Sequence, residues 1–253
     1  MTVQVGIDFG TSTTLIAVRF GEEQPSITAI GENGLTAWMP SVVAISDTNV
    51  LLVGESAARA ENPIRSIKSK LTQNIFSSTD SDASTKEYIE EILYEAMSRA
   101  IDSVPEIGSA VDFYIGCPAE WDGNQRRAIA DAANSLGINI DIAEVIDEPV
   151  AAGLSWVESS WLSGDKPTGL VVVFDAGGGT LDVAILHVEQ GTGSEHKMTV
   201  LSAGSLAKSG DAVDKTLAIY IASQVGWSKE DGYEPENDYL LLESCRALKE
   251  GRQ

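Results

Sequence analysis

Residues 173–180 read Val-Phe-Asp-Ala-Gly-Gly-Gly-Thr, an apolar stretch that runs into three consecutive glycines. A strand without polar alternation is typical of a sheet covered on both faces. A turn that lacks Cβ atoms lets backbone N–H groups converge on an anion. The stretch therefore predicts a phosphate-binding turn between two strands of a layered α/β fold.

The same pattern occurs near the N-terminus. Residues 5–11 read Val-Gly-Ile-Asp-Phe-Gly-Thr, again a strand, an aspartate, a glycine turn and the start of a returning strand. Duplication of one α/β unit, with two matching turns facing each other, is the economical interpretation. We place the first lobe at residues 1–167 and the second at residues 168–253. The last predicted helix is still running at Gln253, so we expect the second lobe to be incomplete.

Other elements follow from local signals. Helical spacing of apolar residues behind a capping box at Ser84 predicts a long helix that ends near Ser103. Asp122 is predicted to cap a second helix, which Gly137 ends. Residues 156–169 contain several serines and glycines, and they are predicted as a linker or exposed loop.

Composition excludes several classes of function. The 253 residues carry a net charge of −21, from 17 Lys and Arg against 38 Asp and Glu, which opposes binding to nucleic acid or an anionic membrane. The sequence has no signal-peptide pattern and no apolar run that could span a bilayer. Two distant cysteines give no disulfide framework, and two histidines argue against a Cys/His zinc site. We therefore expect a cytoplasmic location.

Each glycine turn begins with a carboxylate, Asp8 or Asp175. A carboxylate repels a bound phosphate unless a hard cation lies between them. Mg²⁺ suits such a place, because it needs only one or two carboxylates besides water and phosphate oxygens. Hydroxyl donors for the phosphates are available at Thr11, Ser12, Thr13 and Thr180.

Three further side chains, Glu148, Lys68 and Asp182, are candidates for the site. Glu148, just before Pro149, is either a carboxylate stabilised by a helix dipole or one that holds an attacking or cation-bound water. Lys68 is by itself a surface lysine. Asp182 lies two residues after Thr180, and therefore on the same side of the returning strand.

Five blocks of sequence together resemble the nucleotide-binding domain of the Hsp70 chaperone family, within the actin-like ATPase superfamily. The first and last resemble the family's two phosphate motifs. The second resembles the stretch that carries the family's catalytic lysine. The third resembles the proline–arginine switch segment, and the fourth resembles the segment that connects the two lobes. In chain order the blocks are residues 6–13, 53–68, 117–127, 146–153 and 173–182.

The resemblance implies an α/β actin-like ATPase fold with two ribonuclease-H-like lobes and ATP or ADP with Mg²⁺ in the cleft. It implies that Asp8 and Asp175 bind hydrated Mg²⁺, with K⁺ beside the phosphates. The implied phosphate cradle is Gly10, Thr11, Ser12, Thr13, Gly177, Gly178, Gly179 and Thr180. The implied catalytic residues are Lys68, Glu148 and Thr180, which position the attacking water, and Asp182, a nearby acidic partner. The implied allosteric switch is Pro118 and Arg126.

The sequence also departs from the family. The implied adenosine contacts are Asp211, Arg246 and Lys249, but Asp211 replaces a longer glutamate. Lys68, rather than Lys70, matches the family's Ile-Lys pair. A glycine-rich adenosine motif, an interdomain linker and a peptide-binding domain have no counterpart, so we expect a divergent fragment that binds ATP weakly and hydrolyses it slowly or not at all.

The function implied by the resemblance is that of the ATP-binding and ATP-hydrolysing domain of an Hsp70-like chaperone, whose nucleotide state controls a peptide-binding domain. The implied partners are nucleotide, unfolded peptide clients, a J-domain co-chaperone and a nucleotide-exchange factor, without nucleic acid or membrane. One alternative is an actin-like filament protein of the bacterial shape-determining type, which ATP-dependent sedimentation would reveal. Another is a sugar or acetate kinase, for which the sequence shows no second substrate pocket.

Overall fold

Three β-sheets form in the described residues, two larger ones joined by one helix and a small two-stranded one. The computed structural model describes residues 2–72, 80–110, 112–191, 196–227, 233–249 and 251. The strands are β1 (Val3–Phe9), β2 (Thr13–Phe20), β3 (Ser26–Thr28), β4 (Trp38–Pro40), β5 (Val43–Ile45), β6 (Leu51–Val53), β7 (Asp112–Cys117), β8 (Val145–Asp147), β9 (Gly169–Ala176), β10 (Leu181–Gln190) and β11 (His196–Leu206). The helices are α1 (Gly54–Ala58), α2 (Ile67–Thr72), α3 (Asp80–Ser103), α4 (Gly123–Ser135), α5 (Glu148–Ser163), α6 (Gly210–Gln224) and α7 (Tyr239–Lys249).

The first sheet has the strand order β3–β2–β1–β7–β8, and β4 also pairs with β2. Strands β1 and β2 form an antiparallel hairpin, whereas β7 runs parallel to β1 and β8 runs parallel to β7. Alternate residues of β1 are buried, as expected for a sheet with one face on the core. The apolar stripes of α3 and α4 complete this core, with Ile89, Ile92, Leu93, Ile129 and Ala133 among the buried residues.

The second sheet is an antiparallel meander in the order β11–β10–β9. Helix α5 leaves the end of β8 in the first sheet and packs on one face of this second sheet. Val157 and Trp161 of α5 are buried together with Val188 of β10. A single helix therefore connects the two sheets and covers part of the second one.

The first glycine turn and the second are built alike. Strands β1 and β2 pair across residues 3–20, and strands β9 and β10 pair across residues 169–188. In the first turn the Gly10 N–H donates to the Thr13 carbonyl oxygen at 3.0 Å, and in the second the Gly177 N–H donates to the Thr180 carbonyl oxygen at 3.0 Å. The sequence echo between the two hairpins is therefore confirmed as a repeat of local structure.

Two predicted boundaries are wrong. The predicted loop at 156–169 is helical up to Ser163, because Val157 and Trp161, four residues apart, share one face of α5 and bury it on the second sheet. Gly164 follows Ser163 as the C-cap of α5, and its φ of 90° lies in the left-handed region that glycine adopts readily. Helix α3 already includes Asp80, so Ser84 lies inside it rather than at its start. In contrast, the capping box of Asp122 at the start of α4 is confirmed.

Gly153 lies where α5 crosses the second sheet most closely, and a Cβ there would collide with the Leu186 side chain and lie 3.0 Å from Val173 Cγ2. We expect Gly153→Val to lower the free energy of unfolding by about 1–3 kcal/mol, the usual cost of overpacking a core. Thermal or urea unfolding measures this. Gly123→Ala is the matched control, since a Cβ there meets no heavy atom within 4 Å. Equal stability of both variants would contradict close packing of α5 on the sheet.

The remaining general expectations concern cysteines and membranes. Cys117 and Cys245 are both free and buried, in agreement with the absence of a disulfide framework. Among the helices of the described ranges, none is both long and apolar enough to cross a membrane.

Candidate functional site

The two glycine turns border one cavity of about 790 Å³, which lies between the first sheet, α2 and the start of α5. Most of the residues predicted to bind metal or phosphates line it, together with the predicted lysine and glutamate. They are Asp8, Gly10, Thr11, Ser12, Thr13, Lys68, Glu148, Asp175, Gly177, Gly178 and Thr180. Thus the structure brings together predicted site residues from four separate segments of the sequence.

The second turn approaches the first so closely that two of its glycines have no room for a side chain. A Cβ on Gly178 would lie 2.7 Å from Ser12 Oγ. A Cβ on Gly179 would lie 2.7 Å from both Thr11 Oγ1 and Ser69 Oγ. The backbone of the second turn is therefore exposed directly to the hydroxyl groups of the first, as a cradle for a polyphosphate requires.

Lys68 and Glu148 form an ion pair at the wall of this cavity. Lys68 is 3% exposed, whereas Lys70, on the opposite side of α2, is exposed. Burial in the cleft raises the pKa of Glu148, although Lys68 opposes this, and the nearby Asp8 and Asp182 raise the pKa further. Hence the pair combines an ammonium fixed in position with a carboxylate whose pKa is raised, as suits a group that accepts a proton.

Asp8 and Asp175 bring two more carboxylates to the same cleft. The pKa of Asp8 is raised, mainly because burial removes part of its hydration. The positive charge of Lys68 partly opposes this change, and the negative charge of Asp175 adds to it. The pKa of Asp175 is likewise raised, first by burial and then by Asp182, its cross-strand neighbour. Burial, the largest cause of both shifts, leaves two carboxylates partly dehydrated at one cleft, and a divalent cation between the two turns would neutralise their charge.

This donor set fits Mg²⁺ as part of a nucleotide complex. Within the described ranges, no three His, Cys, Asp or Glu side chains come together as a complete metal site. Mg²⁺ does not need such a site, because it takes one or two carboxylates and fills its other positions with water and phosphate oxygens. Asp8 and Asp175 are the residues that would hold it. When bound, it would neutralise negative charge on the phosphates.

Asp182 is fully buried next to the cavity rather than in its lining. Its Oδ1 accepts a hydrogen bond from the Ala119 N–H at 2.9 Å, which ties the second sheet to the segment after β7. Pro118 is buried in that segment. Arg126 of α4 forms an ion pair with Asp147, the residue before Glu148, and donates to the Val145 carbonyl oxygen at 3.0 Å. Of the two predicted switch residues, Arg126 therefore contacts the strand that precedes Glu148.

The three residues predicted on the adenosine side also lie together. Arg246 Nη2 is 3.0 Å from Asp211 Oδ1, and Lys249 Nζ donates to the Gly210 carbonyl oxygen at 3.1 Å. Both basic side chains also form ion pairs with Asp214: Arg246 Nε lies 3.3 Å from Asp214 Oδ2, and Lys249 Nζ lies 2.8 Å from Asp214 Oδ1. Asp214 is missing from the predicted site, although its spacing of three from Asp211 places both on one face of α6.

Two contacts across the cleft are also missing from the predicted site. Ser66 Oγ donates to Asp211 Oδ2 at 2.5 Å, and Arg65 Nε lies 3.2 Å from Glu243 Oε1. They join the segment before α2 to α6 and α7. Since the partners are 145 and 178 residues apart (243 minus 65 for the second), no local signal in the sequence could have revealed them.

Comparison with known proteins now identifies the family. The family model described as "Hsp70 protein" matches residues 87–250. The chain belongs to the Hsp70 family. It is similar to the "Chaperone protein DnaK" of Cenarchaeum symbiosum (strain A), 34% identical over 259 residues, which cover 99% of this chain and 37% of that protein. The proteins of the same name from Nitrosopumilus maritimus (strain SCM1) and Thermosipho africanus (strain TCF52B) are 32% and 30% identical, with 97% of this chain covered in both cases.

Membership of the Hsp70 family explains the architecture. The mixed sheet, the second sheet and the paired glycine turns are those of an α/β actin-like ATPase fold, as predicted. The chain spans less than half the length of these relatives, namely 37%, 38% and 40%.

Asp8 offers a test of the electrostatics of this Hsp70 cleft in the absence of metal. Because the pKa of Asp8 is higher in the folded than in the unfolded chain, ionisation disfavours folding. This cost grows as pH rises from the ordinary pKa of 3.8 through the folded value, and stays constant above it. Asp8→Asn is therefore expected to stabilise the metal-free protein at pH 7 and to lose this advantage near pH 3.

The open cleft weakens the effect, so we expect a gain of about 0.5 kcal/mol, or roughly 1–2 °C in Tm. Thermal unfolding in EDTA across this pH range measures it. Asp165→Asn, in an exposed loop, is the control and should leave Tm unchanged. A lower Tm for Asp8→Asn at pH 7 would contradict the raised pKa of Asp8.

Proposed function

We propose that this chain is the ATP-binding and ATP-hydrolysing part of an Hsp70 chaperone, in which the nucleotide state controls a peptide-binding domain. The observation that carries the proposal is the buried Lys68–Glu148 pair, which faces two matching glycine turns in one cavity. A simple hairpin turn needs neither a buried ion pair beside it nor two glycines without room for a side chain. A site for phosphoryl transfer to water can use both, the ammonium to stabilise developing charge and the glycine turns to bring backbone N–H groups close to the phosphates.

The proposed chemistry assigns different tasks to the two sides of the cavity. The backbone N–H groups of 11–13 and 178–180, together with the threonine hydroxyls, bind the β- and γ-phosphates, while those of Gly10 and Gly177 close the turns. Lys68 contributes positive charge where negative charge develops on the terminal phosphoryl group. Glu148 orients the attacking water and accepts its proton, and the raised pKa of Glu148 suits this task. Thr180 helps to position that water, and Asp182, buried next to the cavity, is a nearby acidic partner.

Mg²⁺ bound through Asp8 and Asp175, with K⁺ beside the phosphates, belongs to the same proposal. Asp211, Arg246 and Lys249 are proposed to contact the adenosine, and Pro118 with Arg126 to act as the switch that reports nucleotide state. The hydrogen bond from Ala119 to Asp182 supports the switch, because it links that segment to the second sheet. We also propose the division into lobes at residues 167 and 168.

The proposed partners are those of an Hsp70 chaperone: unfolded peptide clients, a J-domain co-chaperone and a nucleotide-exchange factor. The net charge of −21 supports the expectation of no nucleic-acid partner. A cytoplasmic location is part of the proposal, and two free, buried cysteines support a reducing compartment.

Titration calorimetry with ATP, in Mg²⁺ and in EDTA, tests the nucleotide site on this chain. We expect saturable binding that is stronger in Mg²⁺ and is lost in Gly178→Val, whose side chain would occupy the cradle next to Ser12 Oγ. Gly204→Ala on β11 is the control, because a Cβ there meets nothing within 4 Å. Binding that is absent from the wild-type chain, or unchanged in Gly178→Val, would contradict the proposed site. Sedimentation with ATP is measured in parallel, and ATP-dependent pelleting would favour filament formation instead.

A further inference from the structure

Helix α2 carries Lys68 but has little of its own to hold it in place. It contains six residues, far fewer than a helix needs to be stable by itself in water. It begins directly after Ser66, a non-glycine residue whose φ of 53° lies in the left-handed region. The orientation of α2 must therefore be set by contacts from elsewhere in the fold.

One such contact closes the C-terminal end of α2. Gln125 Nε2 donates to the carbonyl oxygens of Leu71 at 2.8 Å and Thr72 at 3.3 Å, which are acceptors that a helix end leaves unpaired. The Gln125 Oε1 atom accepts from the Asp122 N–H at 2.9 Å, in the capping box of α4. Both ends of the Gln125 amide are thus occupied, and the side chain is 3% exposed. This amide fixes the end of α2 to the start of α4.

Trp121 makes a second contact, which reaches Lys68 itself. The indole Nε1–H donates to Thr72 Oγ1 at 3.0 Å, and that hydroxyl donates to the Lys68 carbonyl oxygen at 3.3 Å. The Lys68 ammonium lies 5.9 Å from the centroid of the Trp121 ring, within the range of a cation–π interaction. Trp121 is 3% exposed. One buried side chain therefore holds both the backbone and the charged end of Lys68.

We propose that Trp121 is a positioning residue, which holds Lys68 in register with Glu148 while Gln125 caps the helix that carries it. Trp121 does not line the cavity between the glycine turns, so its effect passes through Lys68. The kinetic consequence rests on the proposed ATP hydrolysis. A displacement of a reacting or charge-stabilising group by about 1 Å can cost up to 10²-fold in rate, so small movements of α2 are sufficient.

Single-turnover hydrolysis and ATP affinity, measured on the same variants, test the proposal. Trp121→Phe keeps an aromatic ring but removes the N–H donor, whereas Trp121→Leu removes both. We expect the hydrolysis rate to fall about tenfold in Trp121→Leu and less in Trp121→Phe, with ATP affinity within about twofold of wild type. Trp156→Phe, on the exposed side of α5, is the matched control and should change neither quantity.

A second measurement needs no nucleotide. Trinitrobenzenesulfonate labels accessible lysines, and mass spectrometry resolves the rate at each one. In the wild-type chain Lys68 should react slowly because it is buried, whereas Lys70 is exposed. Trp121→Leu and Gln125→Glu, which places a carboxylate against two carbonyl oxygens, should raise labelling at Lys68 by severalfold and leave Lys70 unchanged. Gln125→Glu and Trp121→Phe keep the test decisive if Trp121→Leu fails to fold.

Each outcome supports or overturns the proposal. Lower hydrolysis at constant affinity, together with faster labelling of Lys68, supports it. Unchanged labelling of Lys68 overturns it, as does an equal loss of affinity and rate, since that loss indicates a general structural defect. Hydrolysis is measured on the intact protein, because this chain alone is expected to hydrolyse ATP slowly or not at all. An intact protein without hydrolysis would contradict the proposed function, whereas the labelling of Lys68 would still decide whether Trp121 positions it.

Discussion

Lys68→Ala is expected to lower the rate of single-turnover ATP hydrolysis by the intact protein by about 10²-fold, the scale of losing an electrostatic group at a phosphoryl centre. The variant removes the ammonium group that faces the cavity and leaves Glu148 without its ion-pair partner. Since Lys68 lowers the pKa of Glu148, its removal also raises that pKa and increases the protonated, inactive fraction of the carboxyl group. ATP affinity should change much less, because the glycine turns still bind the phosphates.

Lys70→Ala is the matched control, since Lys70 lies two residues away on the same helix but is exposed. Rapid-mixing experiments with radiolabelled ATP separate hydrolysis from binding and product release. Unchanged hydrolysis in Lys68→Ala, together with a loss in Lys70→Ala, would mean that the wrong lysine carries the catalytic role. Equal losses in affinity and rate would assign Lys68 to binding rather than to chemistry.

Asp175→Asn is expected to weaken the binding of Mg-ATP by about tenfold or more and to change the binding of metal-free ATP little. The asparagine keeps the size of the side chain but removes the charge that faces the cation. Removal of a carboxylate also lowers repulsion toward bare phosphates, so affinity in EDTA should remain constant or rise slightly. The ratio of affinities in Mg²⁺ and EDTA is therefore the informative quantity.

Calorimetric titration of the wild type and Asp175→Asn in the two buffers gives this ratio. Asp165→Asn controls for the change in net charge, because Asp165 lies in an exposed loop. The same affinity for wild type and Asp175→Asn in Mg²⁺ would exclude Asp175 as a ligand of the cation. A parallel fall in both buffers would indicate damage to the turn that follows Asp175.

Much of the fold could be predicted from the sequence because the decisive signals are local. The strand, aspartate and glycine turn around Asp8 and Asp175 are each contained in fewer than ten residues, and both form the expected hairpins. The capping box of Asp122 is equally local. In contrast, the helical character of residues 156–163 depends on burial of Trp161 against a strand that follows later in the chain, which composition alone does not show.

For the candidate site, too, the sequence predicts the residues that belong to local motifs but not the contacts between distant segments. Residues within the motifs were predicted and do line one cavity, as do Lys68 and Glu148, which the structure joins across 80 positions. The supporting contacts of Trp121 and Gln125 with α2 span about fifty positions, and although both residues lie in the block 117–127, that block does not indicate which helix they contact. Such contacts become visible only when the packing of α2 against α4 is known.

Helix α5 can act as a lever. Its first residue is Glu148, and its far end is anchored on the second sheet through Trp161, about 20 Å away at 1.5 Å per residue. If the helix pivots as a rigid rod about that anchor, a tilt of only about 3° displaces the Glu148 carboxylate by roughly 1 Å, enough to change a catalytic rate by up to 10²-fold. A small tilt of the second sheet would therefore become a larger displacement of the Glu148 carboxylate. This displacement would move the water that Glu148 is proposed to orient, even if the shape of the cavity hardly changed.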